Sequence, residues 1–214
     1  MDLNLIYHFA KDLLEDEKSG HDWLHALRVE KNALKICPSN LSEKDIKIIK
    51  VACWLHDTID PKITKKQKMK VKDIRIILDQ AGASSVEINE IIYTIQNLSY
   101  SDNLEGDKEL SLLGQIVQDA DRLDAIGAIG IARAFYYGGS QQHALYNDEK
   151  PRNIETITEI NYKEQKSIIN HFYEKLLHLQ SSMNTPKAKK IASKKTSFME
   201  LFLAHFYQDI HYDK

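Results

Sequence analysis

The chain has 214 residues, 28% of them charged and 43% hydrophobic, with a formal net charge of −2. That length supports one large domain, or a domain with a smaller appendage, around a core that needs no disulfide or metal staple. The near-balanced charge excludes a dedicated nucleic-acid coat or membrane-surface protein, while permitting a local basic groove.

Cys37 and Cys53 lack C-x-x-C spacing and read as free, structural thiols of a reducing compartment. Residues 1–20, MDLNLIYHFAKDLLEDEKSG, contain no basic stretch leading into an apolar one. No run approaches the roughly eighteen apolar residues of a membrane span. The expected location is cytoplasmic, without membrane association.

Helical periodicity dominates from the start. Residues 2–16 align Leu5, Ile6, Phe9, Leu13 and Leu14 as a first helix, and 22–36 form a second that Cys37-Pro38 stops. Ser42 to Asp45 reads as a capping box opening a third helix, apolar nearly all round at its inner end and therefore central. A basic run over 61–75 carries Lys62, Lys65, Lys66, Lys68, Lys70, Lys72 and Arg75. A short helix over about 71–80 precedes a second capping box, Ser84 with Glu87, that opens a helix to roughly Leu98. After a polar loop, Leu110–Ile131 is apolar and periodic with embedded glycines, whose helix-interior cost of about 1 kcal/mol each predicts close packing or a break near Gly127. Gly138-Gly139 ends that region. A helix over about 161–180 and a last one capped by Thr185-Pro186 complete an all-α pattern. The expected organisation is one domain over 1–214, with 155–214 as a helical extension packed on the core.

Three stretches depart from ordinary helix patterning. Ala52–Asp60, A-C-W-L-H-D-T-I-D, ends an apolar helix in the adjacent pair His56-Asp57, with a further carboxylate at Asp60. Imidazole and carboxylate side by side can ligate one divalent metal, although such a pair alone is more often a helix cap and a surface charge. In Gly20-His21-Asp22-Trp23-Leu24-His25, two histidines four apart share a helix face; capping or surface roles are the ordinary alternative. Asp119-Ala120-Asp121-Arg122-Leu123-Asp124 interrupts an apolar helix with three carboxylates. Burying these unpaired costs several kcal/mol, so they reach solvent, pair with cations or bind a metal.

The order His25, then His56-Asp57, then Asp121 resembles the HD-domain superfamily of metal-dependent phosphohydrolases. W-L-H-A-L-R-V is similar to its first-histidine segment, L-H-D to its central doublet, and D-A-D-R-L-D-A-I-G-A-I-G-I-A-R to its final-aspartate segment. H-F-Y-E-K-L-L at 171–177 with M-N-T at 183–185 resembles a bacterial branch with a nucleotide pyrophosphohydrolase among its members. The resemblance implies an HD-domain helical bundle-like fold with His25, His56, Asp57 and Asp121 as metal ligands. It also implies Asp60 as the residue that positions or activates water, where related nucleotidases carry glutamate. Lys62, two residues on as in the closer branch, is a candidate catalytic phosphate contact and equally readable as part of the solvated basic run over 61–75. Lys195-Thr196 stands where that branch has an Arg-His pair.

Two imidazoles and two carboxylates suit Mn²⁺ first, with Mg²⁺, Co²⁺, Ni²⁺ or Fe²⁺ as further candidates. Arg28, Arg122, Arg133 and Lys175 are candidate phosphate contacts, with Arg28 and Arg122 equally readable as structural partners of carboxylates. His21, Asp22 and Asp124 are candidates to steady the metal ligands or meet substrate, and His171 is a candidate for closing a nucleotide pocket.

The expected activity is hydrolysis of a nucleoside or deoxynucleoside triphosphate to the monophosphate and pyrophosphate, with a small phosphorylated nucleotide as partner. Monophosphate phosphatase, phosphodiesterase and a non-catalytic nucleotide sensor are the alternatives. Nucleic acid is not an expected partner, because the basic run lacks interleaved aromatics. Gly127-Ala128 and Gly130 suit either internal packing or a homodimer contact.

Overall fold

Local signals set most helix starts in the computed structural model, which describes residues 1–18, 20–59, 69–98, 109–158 and 167–210. Asp2 accepts from the Asn4 and Leu5 amides and opens α1, Leu3–Leu14. Asp22 accepts from the His25 amide and opens α2, Trp23–Ile36. The two anticipated capping boxes are present: Ser42 with Asp45 starts α3, Glu43–Leu55, and Ser84 with Glu87 starts α5, Ser85–Gln96. Each such cap stabilises its helix by about 1 kcal/mol. Between them lies α4, Val71–Gln80.

The long apolar stretch after residue 110 divides into α6, Leu112–Asp124, and α7, Gly127–Ser140. The break falls at Ala125-Ile126, and Gly127 follows it with φ +75°, in the left-handed region that favours glycine. The Lys195 side chain lies across this corner, so that a Cβ on Gly127 would approach Lys195 Cγ to 3.0 Å. Its Nζ donates to the Leu123 carbonyl at 2.6 Å and to the Ile126 carbonyl at 3.4 Å. A cation thus satisfies carbonyls that the end of α6 leaves open.

The helix anticipated over 161–180 is a correction. Residues 159–166 lie outside the described set, α8 covers Ile168–Glu174, and a 3-10 turn follows over Leu176–His178. Lys175 leaves helical geometry at φ −148°, ψ −61°. Just before it, the buried Glu174 carboxylate accepts from the Arg152 backbone N–H and Nε, each at 3.0 Å. The last helix, α9, spans Pro186–Ile210. It starts where the carboxylate of Asp119 on α6 accepts from the Asn184 and Thr185 amides at 2.8 and 2.7 Å.

Among the described residues the fold is an all-helical bundle; its one β feature is an isolated bridge between Ala144 and Ser167. Buried apolar side chains from Ile6 to Leu203 form a continuous cluster. The centre is α3, whose Ile48, Ile49, Val51, Ala52, Cys53, Trp54 and Leu55 are all buried, flanked by α1, α2, α5 and α6. Tyr7 packs edge-on against Trp23 and Trp54 at 4.8 and 5.3 Å, placing both tryptophans in the core. At about 1.5–3 kcal/mol per large apolar side chain buried, this packing fixes the relative placement of α2, α3 and α6. Those three helices carry the residues singled out in the sequence.

Candidate metal centre

Apolar packing of α2 turns His25 inward with Ala26, Val29, Ala33 and Ile36. The buried end of α3 delivers His56 at its C-cap with Asp57 next in the chain. Across from them, α6 presents Asp121. His25 Nε2 lies 3.2 Å from His56 Nε2, 3.2 Å from Asp57 Oδ2 and 3.4 Å from Asp121 Oδ1. His56 Nε2 lies 3.3 Å from Asp57 Oδ2 and 3.7 Å from Asp121 Oδ1. An ion with donors at about 2.1 Å holds neighbouring donor atoms roughly 3.0–3.4 Å apart, so the spacing fits. The group His25, His56 and Asp121 is able to coordinate a divalent metal ion.

Hydrogen bonds at the far side of each ring point the same way. His25 Nδ1 meets Asp124 Oδ2 at 2.7 Å, and His56 Nδ1 meets the Cys53 carbonyl at 2.8 Å. Carboxylate and carbonyl oxygens only accept, so both Nδ1 atoms carry protons and both Nε2 atoms face the cluster. Asp57 Oδ2 also accepts from His21 Nδ1 at 2.8 Å, and His21, His25 and Asp57 form a second converging group.

Burial would lower the pKa of His25, and the Arg133 charge acts the same way. Hydrogen bonds to Asp121, Asp124 and Asp57 prevail and raise it to about 10. Burial likewise opposes the charge on His56, which Asp57 and Asp121 nonetheless push up. Burial disfavours the Asp57 carboxylate, yet the charges on His21 and His56 hold it well below the usual range. Asp121 is held down against burial by hydrogen bonds from His25 and His56. The cluster is a dense set of opposite charges, and it opens to solvent on one side: the Asp121 side chain is 33% exposed while that of His25 is 0% exposed.

The remaining candidates separate by position. Asp124, 2% exposed, accepts from Arg28 Nε and Nη2 at 2.9 and 3.1 Å and from Arg133 Nη1 at 2.9 Å. Asp22 acts through the helix: its carboxylate receives the His25 amide at 2.7 Å. Arg122 sits on another face of α6, where its Nη1 donates to the Ser182 carbonyl and the side chain lines a cavity of about 350 Å³ with Gln118 and Asn184. His171 lies on α8 and Lys175 at its C-cap; α8 packs on α7, and His171 is in neither converging donor group among the described residues. Asp60 and Lys62 lie outside the described residues. Two supports are not anticipated from the sequence: the Asp119 cap on α9, made across 66 residues, and Glu17 Oε2, four residues upstream of His21, which accepts the His21 amide at 3.2 Å. No helix among the described residues is long and apolar enough to cross a membrane.

Comparison with known proteins places this arrangement. The HD domain model matches residues 23–126, the span from the start of α2 to the end of α6 that holds the cluster. The YpgQ protein of Bacillus subtilis (strain 168) is 36% identical over 203 residues, covering 94% of this chain and 90% of that protein. A crystal structure of a Lactobacillus plantarum protein superposes with a TM-score of 0.83 at 37% identity, covering 99% of this chain and 97% of that one. The crystal structure of Bacillus subtilis YpgQ in complex with ADP gives a TM-score of 0.78 at 32% identity, covering 97% and 94%. A Bacillus thuringiensis HD-superfamily hydrolase gives 0.73 at 33% identity, covering 97% and 96%. With these relatives and a cluster able to hold a divalent ion, the chain belongs to the HD-domain superfamily of metal-dependent phosphohydrolases.

Proposed function

We propose that the chain hydrolyses nucleoside or deoxynucleoside triphosphates to the monophosphate and pyrophosphate. A divalent ion, Mn²⁺ in the first instance, is held by His25, His56, Asp57 and Asp121. The observation that carries the reading is the charge around the converging donors. A doubly charged ion balances Asp57 and Asp121, whereas two guanidiniums, Arg28 and Arg133, share the single carboxylate of Asp124. Arg28, its side chain 34% exposed, therefore stands beside the ion as a second cationic group open to substrate, an arrangement that favours a polyanion such as a triphosphate. The ADP complex of the YpgQ relative supports a nucleotide, and the branch resemblance at 171–177 supports release of pyrophosphate.

When bound, the ion supplies Lewis-acid stabilisation at a phosphoryl oxygen and lowers the pKa of a water. The chain's residues do the rest. Asp124 and the Cys53 carbonyl fix the two imidazoles with Nε2 inward, and His21 steadies Asp57. Arg28 is placed to meet the outer phosphates. Asp60 takes the water proton as the water oxygen bonds to the α-phosphorus and the bond from that phosphorus to the α–β bridging oxygen breaks, the oxygen leaving with pyrophosphate; Lys62 contacts the departing phosphates. The same reading treats 1–214 as one domain in the cytoplasm, supported by the buried free thiols Cys37 and Cys53 and by Lys195 of α9 reaching the end of α6.

The test is product analysis with Mn²⁺ and a panel of ribo- and deoxynucleoside triphosphates, monophosphates and a phosphodiester. Equal yields of monophosphate and pyrophosphate are expected from triphosphates, and Asp60→Ala should lower turnover at least tenfold with metal still bound. Orthophosphate as the product, or activity on monophosphates alone, would sink the reading.

A further inference from the structure

Residues after 126 lie beyond the stretch that the HD domain model matches, yet one of them reaches toward two of the donor residues at once. Arg133 stands on the second turn of α7, and its two terminal nitrogens point to different chain segments. Nη1 donates to Asp124 Oδ2 at 2.9 Å, and Nη2 donates to the Gly20 carbonyl at 2.9 Å. Each contact is the first link of a short arm. On the first arm, Asp124 Oδ2 receives His25 Nδ1 at 2.7 Å. On the second, Gly20 has φ +94°, a left-handed turn that leads directly into His21. His21 Nδ1 then donates to Asp57 Oδ2 at 2.8 Å.

We propose that Arg133 is a positioning residue of the metal centre, one guanidinium that orients His25 through Asp124 and Asp57 through the Gly20–His21 turn. The proposal rests on the metal assignment made above. A planar guanidinium holds two donors in a fixed fork, so seating one arm also sets the angle of the other. A lysine ammonium would keep the charge but has no fork to span both acceptors. A sub-ångström displacement of either donor residue is enough to weaken coordination, because metal-ligating groups depend on the partners that orient them. The residue needed for this lies on α7, so the donor span of α2–α6 is incomplete without the next helix.

The experiment compares the unsubstituted protein with Arg133→Lys, Arg133→Gln, His21→Ala and the double variant Arg133→Gln/His21→Ala. Mn²⁺ affinity is read by electron paramagnetic resonance of free and bound ion, ligand geometry by the visible spectrum of the Co²⁺ form, and folding by far-ultraviolet circular dichroism. Arg133→Gln should weaken Mn²⁺ binding by about 10–100-fold and shift the Co²⁺ bands, while Arg133→Lys, keeping one arm, falls between. Because His21 lies on one of the two arms, the double variant should lose less than the product of the single losses. Wild-type affinity and an unchanged Co²⁺ spectrum in a folded Arg133 variant would overturn the proposal, as would strictly multiplicative losses. Should Arg133→Gln not fold, Arg133→Lys and His21→Ala decide the matter by the same readouts. Failure of the unsubstituted protein to take up Mn²⁺ or Co²⁺ would overturn the metal assignment itself, and this proposal with it.

Discussion

Replacing Asp124 by alanine in the metal-free protein removes one buried carboxylate that receives His25, Arg28 and Arg133 together. Burial alone would raise the pKa of that carboxyl, but hydrogen bonds from His25 and Arg28 and the charge of Arg133 lower it from 3.8 to about 2. A drop of that size corresponds to about 2.5 kcal/mol of folding stability. Leaving two guanidiniums and an imidazolium without their anion brings the loss to about 3–4 kcal/mol, or roughly 6–15 °C in Tm for a chain of this length. The folded pKa lies below the unfolded one, so this contribution is present above about pH 4 and is lost as pH falls toward about 2. On the alkaline side, His25 titrates from 6.5 unfolded to about 10 folded; its share is complete below 6.5 and fades as pH rises through 10. The gap in Tm between the native protein and Asp124→Ala, measured by circular dichroism, is therefore widest near pH 4–6.5 and narrows on both sides. A gap that stays constant from pH 3 to 9 would mean that Asp124 contributes packing rather than charge, and would refute the reasoning.

Three further outcomes follow from the site and the corner beside it. His56→Ala and Asp57→Ala should each abolish Mn²⁺ retention in elemental analysis after gel filtration; full stoichiometry in either would remove that residue from the centre. Since His25 is held at about 10 and His56 is also raised, metal uptake near pH 7.5 should release about one to two protons. Calorimetric titration in buffers of different ionisation enthalpy measures that number, and an enthalpy independent of buffer would contradict it. Gly127→Ala combines a positive φ with a close approach to Lys195, so a loss of about 1–3 kcal/mol is expected in urea unfolding. An unchanged midpoint would show that the corner relaxes freely.

Sequence spacing exposes the donor residues because two of them are adjacent, His56-Asp57, and His25 follows a capped helix start with His21 four residues earlier. It does not sort Asp119, Asp121 and Asp124. Helix phase sends them to three tasks: Asp119 to the amides before α9, Asp121 to the cluster, and Asp124 to His25. Their partners lie 66 and 99 residues away for Asp119 and Asp124, and no local pattern encodes such pairings. The capping boxes at Ser42 and Ser84 were legible for the opposite reason, since both halves sit within one helical turn. The spacing of Ile168, Phe172, Leu176 and Leu179 fits an α-helix and equally an α-helix followed by a 3-10 turn. At the point where the two differ, Glu174 is held by Arg152 from 22 residues upstream, a pairing no local pattern encodes.

The Lys195 ammonium on the Leu123 carbonyl joins residues 72 apart in the chain, and that separation has a meaning in time. At ribosomal rates of about 5–20 residues per second, roughly 4–14 seconds pass between synthesis of the end of α6 and arrival of the lysine that closes it. The donor residues are all made before that interval begins, and Arg133 arrives within its first seconds. A nascent chain thus carries His25, His56, Asp57 and Asp121 while the corner beneath Asp124 still lacks its cation. On the metal assignment proposed above, an ion captured in that interval would draw α2, α3 and α6 together ahead of the C-terminal helix.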